Sequence, residues 1–202
     1  VRNDSIHDVT HTFSKKTVGG TINAILSRVI STGNTILYNC QTDQSIIEVC
    51  NFLNAAGAKI EIRSCSSTIF IQGKLKLSDH TIFRILEDPV VTVTYLVFAC
   101  ILNQKYNLNI RIENVNISIS HNKKIFEIVE KVGFRLFHEE NHFYLKYREA
   151  EKTEFIFHFD SEITDSMPFI CLLFIEYGIP SVLIDNVYKN RTRSYQHLKD
   201  MG

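Results

Sequence analysis

Residues 43–72 read DQSIIEVCNFLNAAGAKIEIRSCSSTIFIQ, and the order of their patterns decides the architecture. Ile46, Ile47, Cys50, Leu53 and Asn54 fall at helical spacing over Asp43–Ala56, and Gly57 stands where such a helix would end. Two strands are expected to follow, Lys59–Arg63 and Thr68–Gln72. The pattern returns at His121–Val132, where Ile125, Ile128, Val129 and Val132 form one apolar face; Gly133 ends it, and strands follow at Phe134–His138 and His142–Tyr147. A third copy starts with Tyr195, Leu198 and Met201 and reaches Gly202. Ahead of each of these helices stands a helix and strand pair: Thr21–Ser31 with Asn34–Tyr38, Val90–Asn103 with Asn107–Glu113, and Met167–Tyr177 with Ser181–Val187.

Each copy is therefore expected to run strand, helix, strand, helix, strand, strand, with a period of roughly 70 residues that is too long for a solenoid. The expected fold class is α/β (α+β), made of βαβαββ units whose sheets cover helices gathered in the middle. The first helix of a unit is apolar on most sides, with Ile22, Ala24, Ile25 and Val29 in one copy and nearly every residue from Val93 to Leu102 in the next. Such helices are expected to be fully buried.

Composition excludes several classes of function. With 202 residues, 45% of them hydrophobic, the chain can bury a substantial core as one domain or two small ones. Lys and Arg number 22 and are matched by 22 Asp and Glu, so there is no net positive field to hold a nucleic-acid backbone. The apolar runs Val90–Leu102 and Met167–Ile175 are too short to span a bilayer, and no charged-then-apolar signal opens the chain. The reading is a cytoplasmic protein without nucleic-acid or membrane partners. Val1 in place of methionine, and Gly202 in the middle of a repeat, read as cut ends.

The five cysteines are odd in number and contain no Cys-x-x-Cys pair, which argues against a disulfide framework and against a zinc site, so no metal is expected. Cys50, Cys100 and Cys171 lie within apolar helical patterns and read as core thiols. Cys65, between two serines in a hairpin loop, is expected to be exposed, but no neighbour in sequence would activate it.

Two regions carry residue types suited to ligand chemistry. Lys15-Lys16-Thr17-Val18-Gly19-Gly20 offers a diphosphate cations and backbone N–H groups ahead of a helix, but by itself this is a weak phosphate signal, since a two-glycine turn into a helix usually means only a tight connection. Thr164-Asp165 precedes the helix Met167–Tyr177, where either residue would serve as an N-cap. Val187-Tyr188-Lys189-Asn190-Arg191 follows the strand of the same copy; by themselves Val187 reads as a strand-end core residue and Arg191 as a surface charge.

These stretches, together with Asn51–Ile60 (NFLNAAGAKI) and the terminal Met201-Gly202, resemble the bacterial enolpyruvyl transferases, and among them the UDP-N-acetylglucosamine 1-carboxyvinyltransferases, in both order and spacing. The resemblance covers essentially the whole chain and the middle, somewhat under half, of the family's sequence; Asn51–Ala58 and Asn190-Arg191 are its most specific parts. It implies the family's inside-out α/β prism, two similar domains of three βαβαββ units each with the active site in the cleft between them. Residues 1–86 would be the last unit of the first domain, and 87–202 the first unit and part of the next unit of the second, with a hinge near Ile85 to Val91.

The activity implied is transfer of the enolpyruvyl group of phosphoenolpyruvate to the 3-hydroxyl of UDP-N-acetylglucosamine with release of phosphate, the first committed step of peptidoglycan precursor synthesis, with no cofactor. Asp165 inherits the catalytic role of taking the sugar hydroxyl proton. Lys15, Lys16, Thr17, Val18 and Gly19 match the segment that binds the UDP moiety, Val187 matches a sugar-nucleotide contact, and Arg191 matches a position close to the cleft. The implied partners are the two small-molecule substrates and the rest of the chain's own polypeptide. The family's lysine and asparagine for phosphoenolpyruvate, its loop cysteine or aspartate and several arginines belong to segments outside these 202 residues, so this stretch alone is not expected to be active. The chain also departs from the family in having Asp88-Pro89-Val90-Val91 where it has Asp-Arg-x-Glu, Glu162-Ile163 for Phe-Pro, and Lys189 for an acid. Two other readings stay open: the sister enzyme acting on shikimate 3-phosphate, and a degenerate, non-catalytic binding module of the same fold.

Overall fold

A computed structural model describes residues 7–73, 76–106, 108, 110–115, 120–139, 142–148, 154–160, 163–188, 191 and 193–200. Lys189, Asn190, Glu162, Met201 and Gly202 lie outside the described residues. The chain divides into two compact units, Val1–Leu86 and Glu87–Gly202.

The first unit runs β1 (Val9–Thr12), α1 (Val18–Val29), β2 (Asn34–Tyr38), α2 (Gln44–Ala55), β3 (Lys59–Arg63) and β4 (Thr68–Gln72). Its sheet has the order β1-β2-β4-β3, with β1 parallel to β2 and the other pairs antiparallel. α2 starts at Asp43, whose carboxylate accepts the Ile46 N–H at 3.2 Å. It ends at Ala56, and Gly57 at φ 94° reverses the chain so that its N–H reaches the Asn54 carbonyl and the Ala58 N–H the Leu53 carbonyl. The Asn54 side chain then ties this helix end to β3, its amide group donating to the Ile60 carbonyl and its oxygen accepting the Ile60 N–H at 2.8 Å. Beneath the sheet, Ile25, Val29, Leu37, Ile46, Cys50, Leu53, Ile69 and Ile71 close the core of this unit.

The second unit repeats these steps. α3 (Pro89–Tyr106), β5 (Arg111–Glu113), α4 (Ser120–Lys131), β6 (Phe134–Glu139) and β7 (His142–Tyr147) form one copy; β8 (Phe155–Phe159), α5 (Met167–Glu176), β9 (Ser181–Asp185) and α6 (Arg193–Asp200) begin the next. The order β5-β7-β6 with antiparallel pairs matches β2-β4-β3, and parallel β8-β9 matches β1-β2. Gly133 and Gly178 take positive φ at the ends of α4 and α5, as Gly57 does after α2. The opening strand expected for the second copy is not formed among the described residues. The chain before α3 carries Ile82 and Ile85 out to solvent, and β5, which corresponds to β2, pairs with β7 alone among the described residues.

The expectation that the first helix of each unit is fully buried is overturned. α3 buries Val93, Leu96, Val97, Ala99 and Cys100, and the Tyr177 hydroxyl of α5 reaches the Cys100 carbonyl at 2.9 Å. Its other side exposes Val91, Tyr95 (60% exposed), Phe98 (56%) and Tyr106 (57%), spaced along one stripe of the helix. Leu26 on α1, Ile30 at its C-cap and Ile175 on α5 are likewise exposed. These helices carry more apolar surface than their own units have elements to cover. Cys40, Cys50, Cys100 and Cys171 are buried and Cys65 is exposed in the 3-10 turn Ser64–Ser66; burial raises the Cys50 and Cys171 thiols to about 11. No helix among the described residues is long and apolar enough to cross a membrane.

A side chain at position 57 would be held in a backbone region that L-residues avoid, so Gly57→Ala is expected to lower the stability of the first unit by about 1–2 kcal/mol. Urea unfolding followed through amide exchange of β3 and β4 measures this; an unchanged midpoint would show that the helix end does not depend on the reversal.

Candidate functional site

In the first unit, Thr17 is the N-cap of α1. Its hydroxyl accepts the Gly20 N–H at 3.4 Å, while its carbonyl takes both the Thr21 N–H and the Thr21 hydroxyl. Gly19 and Gly20 thus belong to the first helical turn, a correction to their reading as a two-glycine turn into the helix. A Cβ at Gly20 would meet the Thr17 methyl at 2.6 Å, whereas a Cβ at Gly19 would meet nothing within 4 Å. Gly20 keeps the cap closed, and Gly19 leaves its side of the helix start open. Lys15 and Lys16 are exposed just ahead of this end, and its first turn carries no acid, so helix dipole and side-chain charge have the same sign. The arrangement favours an anion.

In the second unit, β8 leads through Asp160 into the 3-10 turn Thr164–Ser166, which continues directly into α5. Neither Thr164 nor Asp165 caps α5: the cap position is Ser166, and it makes no side-chain cap bond. The Thr164 hydroxyl instead donates to Asp185 Oδ2 at 2.8 Å, and Asp165 Oδ1 takes the Arg191 guanidinium at 2.5 Å. Both partners lie across the parallel pair β8-β9, which aligns Phe159 with Asp185 and brings two sequence-distant turns to the same strand ends. β9 stops at Asp185, so Val187 is an exposed residue beyond the strand and not a core residue at its end.

Asp185 organises this corner. Its Oδ1 accepts the N–H groups of Val187 at 2.8 Å and Tyr188 at 3.0 Å, and its Oδ2 accepts the Thr164 hydroxyl. Burial works against its charge, but the Tyr188 and Val187 N–H groups, the Thr164 hydroxyl and the Arg191 charge outweigh it and hold the carboxyl below the ordinary range. Arg191 lies over the Tyr188 ring at 4.3 Å and is held protonated chiefly by its bond to Asp165.

The structure brings Asp165, Arg191 and Val187 into one cluster; Lys15, Lys16, Thr17, Val18 and Gly19 belong to the other compact unit. Sequence reading missed Asp185. Its signal was an aspartate at a strand end followed two and three residues later by amides it could accept, the pattern of an Asx turn. Two concavities in the second unit, of about 780 and 720 Å³, are lined by residues such as Arg135, Arg148 and Phe155, and Met167, Leu183 and Tyr195, and neither includes Asp165 or Arg191. No group of three metal-ligating side chains occurs among the described residues.

The family model described as EPSP synthase (3-phosphoshikimate 1-carboxyvinyltransferase) matches residues 1–202. The chain belongs to this enolpyruvyl transferase family. It is 30% identical over 195 residues to the UDP-N-acetylglucosamine 1-carboxyvinyltransferase of Rickettsia bellii, which covers 94% of this chain and 44% of that protein. The enzyme of the same name from Buchnera aphidicola subsp. Baizongia pistaciae is 45% identical over 86 residues, 43% of this chain and 20% of its own length. Among solved structures, the enolpyruvyl transferase NikO from Streptomyces tendae superposes with a TM-score of 0.70 at 18% identity, over 91% of this chain and 43% of that one. EPSP synthase from Acinetobacter baumannii gives a TM-score of 0.62 at 14% identity, over 95% and 44%. These structures share the enolpyruvyl transferase fold with the chain, which spans less than half the length of the relatives it matches.

A folded-state pKa below the unfolded one means that Asp185 stabilises the second unit above about pH 4 and that its contribution is lost as the pH falls through the folded value. Asp185→Asn is expected to melt below the parent at about pH 7, with the gap in Tm closing as the pH falls below the ordinary aspartate value of about 4. Thermal melts across that range check it; a gap that stays constant with pH would remove the charge from the account.

Proposed function

We propose that this chain is part of a cytoplasmic enzyme that moves the enolpyruvyl group of phosphoenolpyruvate to the 3-hydroxyl of UDP-N-acetylglucosamine, in the peptidoglycan precursor pathway. The transfer requires a base at the sugar hydroxyl, an acid for the vinyl carbon, and cations around the phosphate and carboxylate. One observation carries the assignment of the base. Asp185 has both oxygens engaged by three donors, whereas the Asp165 side chain is 63% exposed and meets Arg191; Asp160, which follows β8, is ion-paired with Lys124. Of Asp165 and Asp185, Asp165 is the one that can turn an oxygen toward an incoming hydroxyl without breaking the corner. Arg191, 41% exposed, can move from Asp165 to an anionic ligand at little cost, because an ion pair in water contributes at most about 1 kcal/mol.

Val187 stands at the same corner and contacts the sugar nucleotide in this reading. In the first unit, Lys15, Lys16, Thr17, Val18 and Gly19 receive the UDP moiety, a role that the open Gly19 side and the two cations support. The remaining catalytic groups come from the rest of the polypeptide, the chain's principal partner. The apolar stripe of α3 supports that partnership, because a soluble protein rarely leaves so many aromatic side chains in one row exposed. Residues 1–86 would then close the first domain and 87–202 open the second. The family model's description and the Acinetobacter structure favour shikimate 3-phosphate as a second acceptor to test; the identity to sugar-nucleotide enzymes across 94% of the chain favours the first.

In the full-length protein, phosphoenolpyruvate with UDP-N-acetylglucosamine is expected to release phosphate. Asp165→Asn should cut kcat by roughly 10²- to 10⁴-fold while the heat of sugar-nucleotide binding persists. Phosphate release with shikimate 3-phosphate alone would move the assignment to the sister activity; neither binding nor turnover with either acceptor would leave a non-catalytic module.

A further inference from the structure

We propose that Asp185 is a positioning residue that sets the geometry of Asp165, a role that rests on the transferase reading above. Thr164 and Asp165 are adjacent, but they face different partners: Thr164 is 3% exposed and turned inward to Asp185, while Asp165 points out to Arg191. The inward bond is the anchor. It joins the 3-10 turn to the carboxylate that also holds the Val187 and Tyr188 amides, so one side chain fixes the turn bearing the base and the residues leading to its arginine. The Arg191 N–H adds a bond to the Tyr188 carbonyl at 3.2 Å, which extends the clamp to the arginine's own backbone.

Without the clamp, the side-chain tie between the two turns is the exposed Asp165–Arg191 pair. A pair of that kind breaks readily and is the one that a bound substrate would displace. The clamp therefore matters most when ligand is present: it keeps the Asp165 carboxylate in place after Arg191 has turned to the substrate. Asp185 itself does not touch the reacting atoms in this account. It acts through Thr164 on one side and through backbone amides on the other, and displacing a base by about 1 Å is enough to cost on the order of 100-fold in rate.

The test uses the full-length protein with Asp185→Ala, Thr164→Val, the double variant and Thr164→Ser. Hydrogen exchange is read at the Thr164 and Ser166 amides, which bond to the carbonyls of Asp160 and Ile163, with the amides of α4 as a control for the fold. Asp185→Ala and Thr164→Val should each speed exchange at the turn by about tenfold or more with α4 unchanged, and each should lower kcat by roughly 10- to 100-fold. The double variant should be no slower than the worse single one, since both remove the same bond, and Thr164→Ser should restore the rate. Unchanged exchange at the turn, or fast exchange with an unchanged kcat, overturns the proposal. Turnover absent from the unsubstituted protein refutes the transferase reading, and with it the role of Asp185 toward a base, while the exchange data still show separately whether the clamp exists.

Discussion

A helix that ends on a residue of positive φ sends the chain back along its own side, and the repeated units of this protein depend on that reversal. After α2, Gly57 and Ala58 donate to the carbonyls of Asn54 and Leu53, and β3 starts at once against the helix it has just left. The Asn54 side chain fixes the register by bonding both backbone groups of Ile60. With β3 set, β4 pairs beside it and β2 beside β4, so one local turn places a whole sheet over one apolar helix face. Gly178 closes α5 in the same way, its N–H and that of Ile179 reaching the carbonyls of Ile175 and Phe174 before β9 begins.

The candidate site follows from where those sheets stop. β8 and β9 are parallel, so their carboxyl ends lie together, and the turn into α5 and the residues after β9 emerge side by side. Open α/β sheets place ligands at such ends because there the loops, free of the ladder, can turn polar groups outward. Here two of the corner's aspartates, Asp185 and Asp165, have different environments. Asp185 is engaged by two amides and a hydroxyl and keeps its charge below the usual carboxylate range; Asp165 stays exposed with a single cationic partner. That division leaves one carboxylate holding the corner and the other open to solvent beside its arginine.

The α3 stripe shows the same constraint from the other direction. A helix with Val91, Tyr95, Phe98 and Tyr106 on one side and Val93, Leu96, Val97 and Cys100 on the other has apolar surface on two faces. α4, α5 and β7 cover one of them. Periodicity along a helix states that a face is apolar and says nothing about which part of the chain arrives to cover it.

Much of the architecture was legible locally. The spacing of Ile46, Cys50 and Leu53, the glycines at 57 and 133, and the alternation of Lys59–Arg63 and Thr68–Gln72 are signals within a few residues of one another, and elements formed where they stood. Asp165, Val187 and Arg191 were legible as a site only through a family resemblance, and Asp185 was not found at all. The reason is physical: Thr164 meets Asp185 across 21 residues and Asp165 meets Arg191 across 26, through a parallel strand pair that no local pattern encodes. The amino-acid sequence by itself determined which elements form, where helices end and which residue types stand at the strand ends. Only the tertiary structure decided which carboxylate is held by three donors and which stays exposed with one arginine, because that depends on the donors that strand pairing brings within hydrogen-bond reach.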